Sequence, residues 1–467
     1  METNNFITVV DLGCNNLVAA VGTLNPSGKI DVLDAVLKPM VGIVRGEVNN
    51  IEQVTLTLKE AVTELEQRNG IKIGEASVSI SGDQIVSADN SGFVYVGEDG
   101  EIKEEDVRKL TENMDNIQAP EGRTILTRIP QSYRVDSEEV CDSPVGMFGR
   151  RLEATFTYVL GSNKIIERQK KAFDRVGIAR KEIFPAALAA AEAVTSDDER
   201  ETGVAVVDLG AGTSDLCIFH NRIARYAVSI PIGANAINKD IRDTAIPERF
   251  IEDLKIQYGY ATASAIPAEK LNFIVRIPGR TQREKNKDIS YRDLSTIIEA
   301  RLLDVVDYVI NEIKESGYHN RLGAGIVLTG GGSLMPGIDV LFKERTGYDV
   351  RLASTENLTE EGCQKMSDPR MSCAAGLLMM SLAKNANLTP VAPVKKAEPD
   401  EVKQETPDKQ QETPATTNQT AETPKNNNKK ESDDEKPAKE EKKRGSLRKW
   451  LREKTETFFG VVDDDEI

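Results

Sequence analysis

Apolar positions along the first 385 residues follow two rhythms. Ile51, Val54, Leu58, Ala61, Val62 and Leu65 share one face at the 3.6-residue spacing of a helix, and Gly70 follows to end it. Ile298, Leu302, Val305, Val306, Val309 and Ile313 repeat the pattern, closed near Gly317. Short apolar runs of strand type separate such stretches, among them residues 76–80. A β-rich segment covers 84–160, with strand-like runs at 93–96 and 154–160 and a helical stretch at 104–114 between them. It predicts a small inserted α+β domain. Strands alternating with helices elsewhere predict an α/β protein with mostly parallel sheets.

One apolar pattern occurs twice. Val9-Val10-Asp11-Leu12-Gly13 returns unchanged as Val206-Val207-Asp208-Leu209-Gly210. Each copy enters on an apolar run, turns on polar residues and leaves on a second apolar run, 17–21 in the first and 216–219 in the second. This predicts two β-hairpins with Asp-x-Gly at the tip, in two related halves.

The pattern changes near Ala386. From there to Arg444 the chain is Pro, Lys, Glu, Thr, Asn and Gln with almost no apolar residues, so it is expected to stay disordered. Apolar spacing resumes at Gly445. Leu447, Trp450, Leu451, Phe458 and Val461 fall on one helical side, with Arg448, Lys449, Arg452, Glu453 and Glu456 opposite. Such a helix suits a bilayer interface, with Trp450 at headgroup level and Leu447, Trp450, Leu451, Phe458 and Phe459 as its lipid-facing set. A helix docking on a partner protein is the alternative. The acidic end, Asp463 to Glu466, should weaken attraction to anionic lipid.

Composition narrows the function. The chain has 467 residues and a net charge of -16, which argues against general nucleic-acid binding. Cysteines stand at 14, 141, 217, 363 and 373 without a C-x-x-C pair, so neither a zinc site nor a redox motif is expected, and reduced thiols in a cytosolic protein are. With only His220 and His319, a Ser-His-Asp triad is improbable. No run of 18 apolar residues exists to span a bilayer, and no secretory signal is expected before Phe6. Neither G-x-S-x-G nor the P-loop pattern occurs.

Three glycine-bearing turns carry the candidate chemistry. An Asp-x-Gly hairpin tip lets backbone approach phosphate oxygens. The second copy, Asp208 to Asp215, holds two glycines, two hydroxyls and two carboxylates in eight residues, enough to cradle phosphate and hold Mg²⁺ through water. The third is Gly325 to Ser333, a buried-type strand running into Gly330, Gly331 and Gly332, which suits close approach to a flat ligand. Read singly, each is also a polar turn, and the third a loop after an edge strand. Their order resembles the two phosphate motifs and the adenosine motif of the actin, sugar kinase and heat-shock chaperone superfamily.

Within that superfamily the chain resembles the FtsA family of bacterial cell-division proteins. The resemblance runs from about Phe6 to Ala383 and resumes at the terminal helix. It is carried by Val78 to Asp83, Ile129 to Tyr133, Asp142 to Met147, Ala189 to Val194, Ile230 to Gly233 and Lys255 to Gly259, in that order. It implies an actin-like duplicated fold of RNase H type: a first half (1–83, completed by 161–200 and a helix near 369–384), an inserted domain (84–160) and a second half (201–384) with an outer part at 235–299. A disordered linker (385–444) and a membrane helix (445–462) would follow.

The resemblance also implies a site. ATP would lie between the halves against Gly13, Cys14, Asn15 and Asn16, then Gly210, Ala211, Gly212, Thr213 and Ser214, and then Gly330, Gly331, Gly332 and Ser333. Glu252 and Lys255 match the family's E-x-x-K toward ribose or adenine; unaided, that pair reads as a solvated helix face. Asp11 and Asp208 would be the catalytic carboxylates and hold Mg²⁺ through water. The implied partners are the FtsZ tail, with Arg276 and Arg301 as contacts in a basic stretch that includes Arg280, Arg283, Lys285 and Lys287, further copies of the chain in filaments, other division proteins, and the cytoplasmic face of the membrane at the septum. Cys14 and Asn16 stand where the family has a hydroxyl and often a Lys, and Phe184 stands where wider relatives orient water, so slow turnover at most is expected. A sugar kinase would need a base and a sugar pocket, neither of which is identifiable; a pilus-assembly or plasmid-partitioning relative would not be expected to recruit FtsZ.

Overall fold

The computed structural model describes residues 6–25, 29–140, 143–279, 281, 284–356 and 358–384. The linker and terminal-helix expectations, including Leu447, Trp450, Leu451, Phe458 and Phe459, lie outside the described residues, as do Arg280 and Arg283.

Local signals act as the pattern suggests. Helix Ile51–Asn69 opens where the Asn50 side chain accepts from the amides of Glu52 and Gln53, and ends at Gly70 with φ 63°. It buries Val54, Leu58, Ala61, Val62 and Leu65. Helix Tyr291–Glu315 opens on Ser290 and buries Ile298, Leu302, Val305, Val306, Val309 and Ile313.

Two five-stranded sheets repeat one topology. The first is ordered Ala179–Pro185, Glu75–Ile80, Ile7–Leu12, Asn16–Leu24, Ile30–Pro39. The second is ordered Val350–Leu352, Ile326–Thr329, Val204–Leu209, Ser214–His220, Ile223–Ile230. The expectation of mostly parallel sheets is corrected. In each sheet the two pairings at one side are parallel and the two at the other antiparallel. Short hairpins can only join antiparallel neighbours; parallel pairs need the crossover helices.

Between the sheets lie two small-residue helices. Ala186–Val194 rests on the second sheet and Ser372–Lys384 on the first, and they press together at Gly376, whose Cβ would fall on the Ala189 carbonyl. Alanine and glycine are needed there because the two backbones touch. This layer and both sheet faces form one continuous core with Val9, Phe184, Val206 and Leu378.

The insertion leaves the first sheet after Ile80 and returns at helix Asn163–Val176. Its sheet is ordered Val86–Tyr95, Arg151–Ser162, Arg123–Val135, Glu138–Val140, covered by helix Glu104–Asp115. It docks on the outer strand of the second sheet: Ser87 Oγ donates to the Ala227 carbonyl at 2.7 Å and accepts from the Ala227 amide at 2.9 Å.

Candidate functional site

The two hairpins are built alike. Leu12 faces Leu17 and Leu209 faces Ser214, so each tip has four residues, 13–16 and 210–213. Asp11 and Asp208 therefore occupy matching places two residues before each tip glycine. A parallel strand runs beside each. Ser79 Oγ donates to Asp11 at 2.5 Å, and Thr329 lies in register with Asp208. Strand Ile326–Thr329 is interior, between two partners, not an edge. Gly330 follows with φ 80°, and a Cβ there would strike the Asp208 carboxylate and stand 2.8 Å from the Leu209 carbonyl. Ser333 Oγ closes the turn onto the Gly330 carbonyl at 2.7 Å.

Three carboxylates meet at this floor. Desolvation pushes the Asp11 carboxyl above its ordinary value, against the Ser79 hydroxyl and the Cys373 thiol that hydrogen-bond its charged form. Desolvation, then Asp215, then Asp11 push Asp208 well above the carboxylate range. Asp215 rises to about 6, burial outweighing the hydroxyls of Ser229, Ser81 and Thr213. Asp208 makes no side-chain hydrogen bond among the described residues. Asp215, the second carboxylate of the 208–215 stretch, faces Asp208 across the hairpin, where the four-residue tip after Leu209 places it.

Contacts across the cleft join the halves. Asn15 and Asn235 exchange amide hydrogen bonds at 3.0 and 2.9 Å. Ser81 Oγ reaches Thr213 Oγ1 at 3.0 Å and both Asp215 oxygens at 3.1 Å, and the Gly82 amide donates to Ser229 Oγ at 2.9 Å. Cys14 is buried under Gly212, its Sγ accepting from the Gly46 amide at 3.3 Å, and burial pushes its thiol up. Its sulfur is thus engaged with the fold rather than held out like a tip hydroxyl. Phe184 is buried in the core with Lys384 over its ring.

The second tip leads on to the E-x-x-K pair. The amides of Ala234 and Asn235 donate to the Gly210 and Ala211 carbonyls at 3.0 and 2.8 Å, seating helix Asn235–Asp243 on the tip. From that helix Asn238 Nδ2 donates to Glu252 at 2.6 Å, and Lys255 Nζ donates to the same oxygen at 2.8 Å. The solvated-face reading fails for Lys255, whose side chain is 5% exposed. Helix Ile251–Tyr258 packs against helix Tyr291–Glu315 and buries Lys255 together with Ile251 and Leu254.

A second feature lies outward, in the stretch after residue 255. Tyr258, Asn272, Phe273, Ile274, Val275, Arg276 and Tyr291 line an open groove of about 620 Å³. Phe273 and Ile274 are 56% and 64% exposed, and the Phe273, Tyr258 and Tyr260 rings cluster on Tyr291. Arg276 borders it and is paired with Asp288 across the ribbon Ile274–Ile277 and Lys287–Ser290. Arg301 is not presented as a free cation: it grips Asp240 through two bonds of 2.7 and 2.8 Å and Asp304 through a third of 2.9 Å.

Comparison with known proteins identifies the family. A family model described as "SHS2 domain inserted in FTSA" matches residues 82–160, and one described as "Cell division protein FtsA" matches 205–376. The chain is 30% identical over 389 residues to cell division protein FtsA of Neisseria meningitidis serogroup B, covering 83% of this chain and 92% of that relative. The chain belongs to the FtsA family. It is also 31% identical over 380 residues to cell division protein FtsA of Borreliella burgdorferi, covering 81% of this chain and 91% of the relative. Among solved structures, a chain of a PilM-PilN type IV pilus biogenesis complex superposes with a TM-score of 0.54 at 14% identity, covering 80% of this chain and 98% of that one. That likeness speaks for the actin-like fold alone. FtsA membership sets aside the sugar-kinase and pilus-assembly alternatives. Among the described residues no helix is long and apolar enough to cross a membrane, and no group of three His, Cys, Asp or Glu could hold a metal directly.

Proposed function

We propose that this FtsA-family protein binds ATP with Mg²⁺ between its two halves, assembles into filaments, and ties FtsZ filaments to the cytoplasmic membrane at the division septum. The observation that carries the nucleotide reading is the meeting of two equal hairpin tips over Asp11, Asp208 and Asp215. Among the described residues Asp208 has no side-chain hydrogen-bond partner while two further carboxylates crowd it, and a hydrated divalent cation would satisfy all three. Gly13, Cys14, Asn15 and Asn16 with Gly210, Ala211, Gly212, Thr213 and Ser214 would border the phosphates. Glu252, Lys255 and Gly330 to Ser333 would border the nucleoside. ATP would supply phosphate charge that both halves bind, so that closure depends on it. Asn16 in place of a cation and the buried Phe184 favour slow turnover, with the nucleotide as a switch.

Separate sheets in the two halves and in the insertion support the proposed division, with the insertion at 84–160 and the outer part at 235–299. The aromatic groove beside Arg276 supports an acidic-apolar FtsZ tail as its occupant. Arg301 would act there by fixing helix Tyr291–Glu315 to Asp240. Trp450 is the sole tryptophan, so its emission reports the proposed membrane helix alone. With anionic vesicles, a blue shift that grows with Mg-ATP is expected. No shift at any lipid concentration would remove the tether, and no dependence on ATP would remove its coupling to assembly.

A further inference from the structure

Three asparagines decide how the second tip meets the cleft, and one is left with an unmet need. Asn235 starts helix Asn235–Asp243 and bonds Asn15 of the first half, so its side of the helix faces the cleft. Asn238, three residues on, lies on that side. Its Nδ2 donates to Glu252 Oε2, which fixes the amide orientation. Its Oδ1 is then shielded from solvent with no partner. A buried acceptor without a donor is unfavourable, so a ligand that brings a donor there gains more than one hydrogen bond normally yields.

Position and chemistry select the donor. The triphosphate offers only acceptors. At about 1.5 Å of rise per residue, Asn238 stands about 4.5 Å further along the helix than Asn235 at the tip. That is the step from phosphate to sugar, short of the base. Asn238 Oδ1 and the half-exposed Glu252 carboxylate are neighbouring acceptors, which matches the two vicinal hydroxyls of ribose.

We infer that Asn238 is a specificity-determining residue: its Oδ1 accepts from a ribose hydroxyl, so the cleft prefers ribonucleotides to deoxyribonucleotides. This rests on the nucleotide reading of the cleft. The test is calorimetric titration of the full chain with Mg²⁺ and ATP, 2′-deoxy-ATP or 3′-deoxy-ATP. The wild type should bind one deoxy analogue about tenfold more weakly than ATP. Asn238→Ala and Asn238→Leu should weaken ATP toward that analogue and erase the difference. Equal affinity of the wild type for all three would overturn the inference and leave nucleotide binding standing. So would variants that weaken all three nucleotides equally, the mark of a merely structural role. No ATP binding by the wild type would remove the nucleotide reading and the inference together. If one variant fails to fold, the other still assigns the discrimination to Asn238, and equal wild-type affinities still overturn it.

Discussion

Gly212→Ala tests whether the hairpin tips truly close on each other. A Cβ at Gly212 would lie 3.0 Å from the Arg45 amide nitrogen and 3.1 Å from Cys14 Cβ, and closer still to Cys14 Sγ. Carbon contacts settle at about 3.5–4.0 Å, so the opposite tip must move by about half an ångström or more. Overpacking of this kind costs about 1–3 kcal/mol. Gly212 belongs to the second half and Cys14 to the first, so the simplest relief is to part the halves. The cost then falls on cleft closure, and ATP affinity should drop about 5- to 100-fold while the urea midpoint moves little. Cys14→Ala removes the sulfur and leaves only the milder contacts. In that background Gly212→Ala should cost about 1–2 kcal/mol less. The assay is a double-mutant cycle in Mg-ATP affinity by calorimetry, with far-UV circular dichroism in urea beside it. Effects that add within about 0.5 kcal/mol would refute the contact, because residues that touch do not add.

Three further outcomes are expected. The Asp215 carboxyl is raised to about 6 from an ordinary 3.8, so between about pH 4 and 6 the folded chain holds more protons than the unfolded one. This group's contribution to stability therefore falls as pH rises through that window, by at most about 3 kcal/mol. The difference in urea stability between wild type and Asp215→Asn should slope across pH 4–6, and a flat difference would contradict the burial argument. Lys255→Met should weaken ATP binding about tenfold while changing unfolding stability by less than about 1 kcal/mol, since the half-exposed Glu252 left behind stays solvated and keeps the Asn238 amide as a donor; unchanged binding would detach Lys255 from the site. Phe273→Ser with Ile274→Ser should reduce FtsZ tail-peptide binding at least tenfold by anisotropy with stability within about 0.5 kcal/mol, because both side chains are exposed. Undiminished binding would move the peptide elsewhere.

The duplicated architecture was legible because the same five residues open both hairpins, and helix periodicity named most of the buried stripes. Strand direction was not, since apolar runs do not state whether a hairpin or a crossover joins them. Site chemistry divided the same way. Glycines at 210, 212 and 330 stand in a local pattern and were visible. Asp215 stood in the same pattern as a carboxylate, but its place opposite Asp208 needed the register; Ser229 comes from a strand 14 residues later that the hairpin brings alongside, and Asn238 needs Glu252 to give it meaning. Arg301 shows the opposite error: a cation on a helix looks available until Asp240 from another helix takes it. Local pattern fixes which backbone approaches a ligand, whereas charge partners are settled by packing between distant segments.

Comparing the two halves at one matched place shows how the repeat was put to different uses. Ser79 stands beside Asp11 as Thr329 stands beside Asp208. Past Thr329 the chain becomes the Gly330 turn against Asp208 and Pro369. Past Ser79 it becomes Ser81 and Gly82 and leaves for the inserted domain. Ser81 binds Asp215 and Thr213, Gly82 binds Ser229, and Ser87 binds Ala227 two residues earlier on the same strand. These bonds run in sequence from the cleft floor to the root of the insertion. Each contributes about 0.5–1.5 kcal/mol net, so losing one is tolerable and losing all is not. Parting the halves at Asp215 must therefore either break Ser81 away or carry the 81–87 segment along with the outer strand of the second sheet. In both cases the root of the inserted domain changes its neighbours whenever the cleft floor does.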